Sequence, residues 1–261
     1  MKVGQYNEKI MCILLIAFLM ITTPSASAIA GENASEANQE QTSTITGTDI
    51  SVVTKRKIEE TGIHISEKTK IELVPISSSQ GESTRRALVV TNESCNIITK
   101  DVLLLVDDET VGFDTGTAAN TRGESSAEFP PLSWDGRYVI RGTAVYNQYN
   151  DGWFSSFYQP IKVYFSYQKY DTCTVNNITL SYICDGFECS YPGFEDLGLN
   201  ELRYVITVTK ASPSVNTTYS TSRPYNTNRV IFTGSGSPFV GQCLTFEATV
   251  NGESNGYTVR L

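Results

Sequence analysis

The chain has 261 residues, 40% of them hydrophobic and 18% charged, with a formal net charge of -8. Ample apolar content excludes a disordered chain, and a single long apolar run excludes a many-pass membrane protein. The acidic balance excludes a nucleic-acid partner, because a polyphosphate would be repelled.

Residues 1–28 read as a signal peptide. Lys2 and Lys9 supply a positive start, and residues 10–21 form an apolar stretch too short to cross a bilayer comfortably. Ala26-Ser27-Ala28 then offers small residues at cleavage distance, with Ala28-Ile29-Ala30 as the second choice. Cys12 lies inside the apolar run rather than just after the cut, so no lipid anchor is expected. Loss of Lys2, Lys9 and Glu8 makes the mature chain one charge more negative. The expected location is secreted, extracellular or at the cell envelope, with no membrane insertion after cleavage.

Residues 29–62 are expected to be a flexible tether with one short helix. Residues 29–48 carry almost no large apolar side chains and cannot offset their ordering entropy. Over 49–62, Asp49 is a candidate cap, Ile50, Val53 and Ile58 lie near one face, and Gly62 is a stop signal.

From Ile63 onward the hydrophobic period is two. Tyr138, Ile140, Ala144 and Tyr146 share a face, with Gly142 as a gap; Ile161, Val163, Phe165 and Tyr167 do the same. So do Tyr204, Ile206 and Val208, and then Leu244, Phe246, Ala248 and Val250. Residues 102–106 are continuously apolar, as in a strand covered on both faces. Turn signals stand at Asn150-Asp151-Gly152, at Asp185-Gly186 and from Asn251-Gly252 to Asn255-Gly256.

These strands and turns predict an all-β protein built as one or two β-sandwich modules. A polar break over 168–177 divides it into module 1 (63–170) and module 2 (171–261); one larger sandwich is the alternative. Arg137-Tyr138-Val139-Ile140 recurs as Arg203-Tyr204-Val205-Ile206, a match short enough to arise by chance. In general terms the architecture resembles immunoglobulin-like and fibronectin-like modules. It lacks the antibody Cys-Trp-Cys framing, since Trp134 and Trp153 are not suitably bracketed by cysteines.

Five cysteines remain after the leader: Cys95, Cys173, Cys184, Cys189 and Cys243. If Asp185-Gly186 is a hairpin loop, Cys184 and Cys189 face each other and are the candidate disulfide. His64 is the sole histidine, so multi-histidine metal sites are excluded, and its plain reading is a surface residue. Asp107-Asp108-Glu109 with Asp114 reads as a solvated acidic turn rather than a calcium loop. No nucleophile elbow, phosphate loop or dinucleotide fingerprint is present. Asn33, Asn92, Asn177 and Asn216 begin glycosylation triplets that matter only in a glycosylating host. No cofactor and no metal are expected.

The strongest surface candidate is aromatic. Tyr146, Tyr149, Trp153, Phe154, Phe157 and Tyr158 flank one turn. Trp153 and Phe154 point to opposite faces of a strand, so one of them is open to solvent unless both faces are covered. Tyr149, Trp153, Phe154 and Phe157 are therefore the candidate ligand contacts, for a protein or glycan at the cell surface. The expected function is a secreted or surface-associated, non-catalytic binding or structural β-sandwich protein. The alternatives are a glycan-directed hydrolase with a carboxylate pair, and a small inhibitor or immunity-like partner protein.

Overall fold

In a computed structural model of the protein, residues 44–78, 81–106, 138–150, 156–169, 174–191, 201–222, 229–232 and 241–261 are described. They form twelve strands and one helix: β1 (Thr44–Thr46), α1 (Val52–Glu60), β2 (Lys70–Ser78), β3 (Gly81–Ser94), β4 (Ile97–Val106), β5 (Tyr138–Asn150), β6 (Ser156–Lys169), β7 (Val175–Ser190), β8 (Glu201–Ala211), β9 (Tyr219–Ser222), β10 (Arg229–Phe232), β11 (Gln242–Val250) and β12 (Glu253–Arg260). Every strand pair is antiparallel, so the protein is all-β.

The hydrogen-bonded ladder returns on itself. It runs β2-β12-β11-β7-β10-β6-β5-β4-β3, and β3 pairs with β2 again. β8 adds to β7, β9 to β6 and β1 to β2. Two joints make the circuit. At the first, the β2–β3 register shifts between Pro75 and Ser77, and there Ile76 takes up Val259 of β12. At the second, short β10 bridges the ends of β6 and β7, with Phe232 opposite both Phe157 and Phe187. Strands from either side of residue 170 are thus interleaved, and Gln41–Leu261 forms one compact unit.

Alternation places one residue set inside. Ile140, Val163 and Phe165 from β5 and β6 meet Leu180, Tyr182, Leu244 and Phe246 from β7 and β11 in the main apolar cluster. Ile161 falls out of that pattern because the β5–β6 register skips it: Val145 pairs with Lys162 and Tyr146 with Pro160.

β4 is covered on both faces. Val102 and Leu104 join the main cluster, while Leu103 and Leu105 join a second with Ile71, Leu73, Leu88, Val90 and Val139. The 44–65 segment closes that second layer with Ile50, Ile58, Ile63 and Ile65. α1 starts at Ser51 rather than Asp49: the Ser51 hydroxyl accepts from the Thr54 N–H, whereas Asp49 accepts from the Thr46 hydroxyl in the preceding turn. Gly62, at φ +83°, ends it. Val53 is exposed, so the buried face is carried by Thr54 and Ile58.

Two side chains from the sheet cap this helix. Arg141 donates through Nη1 to the Thr61 carbonyl at 3.1 Å, and Gln168 donates to the Glu60 carbonyl at 2.7 Å. Arg141 also donates through Nε to buried Asp101 at 2.9 Å, and Thr143 donates to the same carboxylate oxygen at 2.6 Å.

The Asp185-Gly186 turn is absent. β7 runs through both residues, pairing Asp185 with Arg203 and Gly186 with Leu202 of β8. A side chain at Gly186 would collide with the backbone of Phe232 in β10, so this glycine admits a neighbouring strand instead of reversing its own. The Asn251-Gly252 turn is present: both residues have positive φ, and Val250 pairs with Glu253. Asn255 and Gly256 belong to β12.

Candidate functional site

The continuity of β7 decides the cysteine question. Cys184 and Cys189 are five residues apart on one extended strand, about 16 Å of backbone, far beyond disulfide reach. Neither is in a disulfide, and both are fully buried: Cys184 lies in the main cluster, and Cys189 lies beside Phe157 and Val230. The expected bridge is therefore corrected, because its hairpin does not form. Cys243 is also free and buried, whereas Cys95 is free and exposed.

The β5–β6 hairpin forms as expected, with Tyr149 opposite Phe157. Trp153 and Phe154 lie outside the described residues. Phe157 is buried in a small cluster with Cys189 and Val230, against which Tyr149, Tyr191 and Phe232 pack. Of the expected ligand contacts, Phe157 thus forms the floor and half-buried Tyr149 the face. Tyr146 belongs to the main cluster, edge-on to Tyr158.

Sequence reasoning missed Tyr191 and Phe232. The Tyr191 ring stacks on Tyr149 with centroids 4.1 Å apart, and Phe232 lies 5.4 Å from Phe157. Both arrive from distant strands, and only the β10 joint brings them here. No local spacing signals it.

Polar groups brace the cluster. Asn147 donates to buried Gln159 Oε1 at 2.9 Å, and the Tyr149 hydroxyl donates to the same oxygen at 3.3 Å. Gln159 Nε2 in turn donates to the Arg229 carbonyl, and Arg229 pairs with Glu188 at 3.2 Å. Partial burial, then the neighbouring Tyr191 phenol, raise the Tyr149 hydroxyl pKa, so it stays a neutral donor at physiological pH. The result is a braced aromatic face with a polar rim, suited to stacking on a planar or sugar-ring surface.

A second surface carries an uncharged row. In register across four strands, Thr207, Ser181, Thr245 and Thr258 form one row. Their hydroxyls pair within the row, Ser181 with Thr207 at 2.9 Å and Thr245 with Thr258 at 3.3 Å. This is the ordinary way β-branched hydroxyl residues cover an outward sheet face.

Elsewhere, His64 is exposed, and its backbone carbonyl accepts from Asn92. Among the described residues no three His, Cys, Asp or Glu side chains gather as metal ligands. The acidic turn 107–109 lies outside the described residues. The buried carboxylates Asp101 and Asp185 each sit beside an arginine: Asp101 by Arg141, and Asp185 at 3.7 Å from Arg203. Burial, opposed by Arg141 and then Thr143, raises the Asp101 carboxyl above its ordinary value. No helix among the described residues is long and apolar enough to cross a membrane. Comparison with models of protein families, with curated proteins and with solved structures finds nothing that matches this chain.

Proposed function

We propose that the protein is an exported, non-catalytic β-sandwich module of the immunoglobulin-like kind, which binds a glycan or protein at the cell surface through the aromatic face of Tyr149 and Tyr191. The observation that carries this reading is the Tyr149–Tyr191 stack. Two half-buried rings are held against a buried floor and tied through Gln159, so little side-chain entropy remains to be lost when a ligand arrives. The signal peptide at 1–28 accounts for delivery outside the cell, and the acidic charge for solubility there.

The test is retention of the mature chain on a glycan array and on intact cell surfaces. Binding that is lost about tenfold or more in Tyr149→Ala and Tyr191→Ala, with the far-ultraviolet spectrum kept, supports the reading. Equal binding by wild type and both variants moves the contact elsewhere. Release of sugar during incubation replaces binding with hydrolysis.

A further inference from the structure

Tyr149 ends β5 and Tyr191 follows β7, yet their rings stack with centroids 4.1 Å and planes 27° apart. Both are half-buried, so each keeps part of its ring open to solvent. The other close tyrosine pairs among the described residues differ. Tyr146 and Tyr182 are 6.2 Å apart and both buried, and Tyr146 meets Tyr158 edge-on at 73°. The Tyr149–Tyr191 stack is also restrained, by the Phe157, Cys189 and Val230 floor and by the bond from Tyr149 to Gln159.

A phenol that loses one electron and one proton becomes a phenoxyl radical, with spin density on the carbons ortho to oxygen. Two such radicals couple through those carbons. In solution their encounter is rare; side chains held in contact react at a very high effective concentration.

We propose that Tyr149 and Tyr191 are a modification site at which a peroxidase-type oxidant, using hydrogen peroxide, forms an intrachain dityrosine. Each ring gives up one ortho C–H hydrogen in the net reaction, one C–C bond forms between the rings, and one peroxide is reduced to two waters. After coupling, each ring regains its phenol by moving the ortho hydrogen to oxygen. The bond joins the end of β5 to the residue after β7, across the place where β10 links β6 to β7. It supplies a covalent tie that Cys184 and Cys189, buried far apart on one strand, do not make. The inference does not depend on ligand binding.

The experiment treats the purified full chain with a haem peroxidase and hydrogen peroxide, follows dityrosine fluorescence, and maps the product by proteolysis and mass spectrometry. The expected result is a Tyr149–Tyr191 linked peptide on monomeric protein, with a yield unchanged by tenfold dilution. It should vanish in Tyr149→Phe and in Tyr191→Phe. Recovery of both tyrosines unlinked, while added free tyrosine couples, overturns the proposal. So does a link at Tyr149 found only between molecules and lost on dilution. Mapping of the wild-type chain decides the matter even if a phenylalanine variant folds poorly.

Discussion

The ring of Phe246 on β11 occupies the space that a side chain at Gly142 on β5 would need. A Cβ there would stand 2.5 Å from one ring carbon and 2.6 Å from the next, with Leu180 at 3.1 Å. The gap in the Tyr138–Tyr146 alternation is therefore a socket for a ring from across the core.

Gly142→Ala is expected to destabilise the protein by about 1–3 kcal/mol, the usual cost of overpacking. Urea denaturation measures it. Adding Phe246→Leu should recover part of the loss, since the smaller side chain vacates the socket. Two losses that simply add would show that the ring is not what the new methyl meets.

The 44–65 segment is a cover for the sheet. Ile58→Ala should cost about 2–5 kcal/mol, because a fully buried side chain leaves a cavity under α1. Val53→Ala, on the exposed face, should change stability by less than about 0.5 kcal/mol. Similar small effects at both positions would mean that the segment does not pack.

Arg141→Leu removes both the charged partner of Asp101 and the cap on Thr61. Stranding a buried carboxylate costs about 3–5 kcal/mol near neutral pH. The Asp101 pKa is raised in the fold, so its contribution to stability is complete below the unfolded value of 3.8 and is lost as pH rises through the folded value. Without Arg141 the carboxyl rises further. The penalty should therefore shrink as pH falls from 7.5 to 4.5, because protonating the acid relieves the stranded charge. Denaturation at both pH values checks this; an unchanged penalty would assign the effect to the lost cap alone.

Thiol labelling under native conditions should modify Cys95 at least about a thousandfold faster than Cys184, Cys189 or Cys243, which are reached only through opening of the core. Burial also raises the thiol pKa of Cys184 and of Cys243, keeping the unreactive protonated form. Peptide mapping of alkylated protein reads each rate. Failure of Cys184 and Cys189 to label even in denaturant, with recovery on reduction, would restore the disulfide.

The strands were legible because a period of two depends only on which face is dry. That rule found Val163, Phe165, Leu244 and Phe246, and the continuous run at 102–106 correctly announced a strand buried on both sides. It misplaced what depends on neighbours. Asp185-Gly186 has turn composition, but the glycine is there to let β10 approach. Asp49 has the chemistry of a cap, but Thr46 takes its carboxylate and Ser51 caps the helix. Of the tip, sequence reached Tyr149 and Phe157; Tyr191 and Phe232 come from chain segments whose arrival depends on the β10 joint.

The pairing of Ile76 with Val259 has a kinetic consequence. β2 belongs to the early part of the chain and β12 to the late part, so the seam between them closes only after nearly everything between has been laid down. Contacts of such long sequence separation form slowly, and until this one forms, β2 and β12 each present a raw margin able to pair with a neighbouring molecule. Rapid dilution at low protein concentration should thus govern the yield of refolded material more than temperature does.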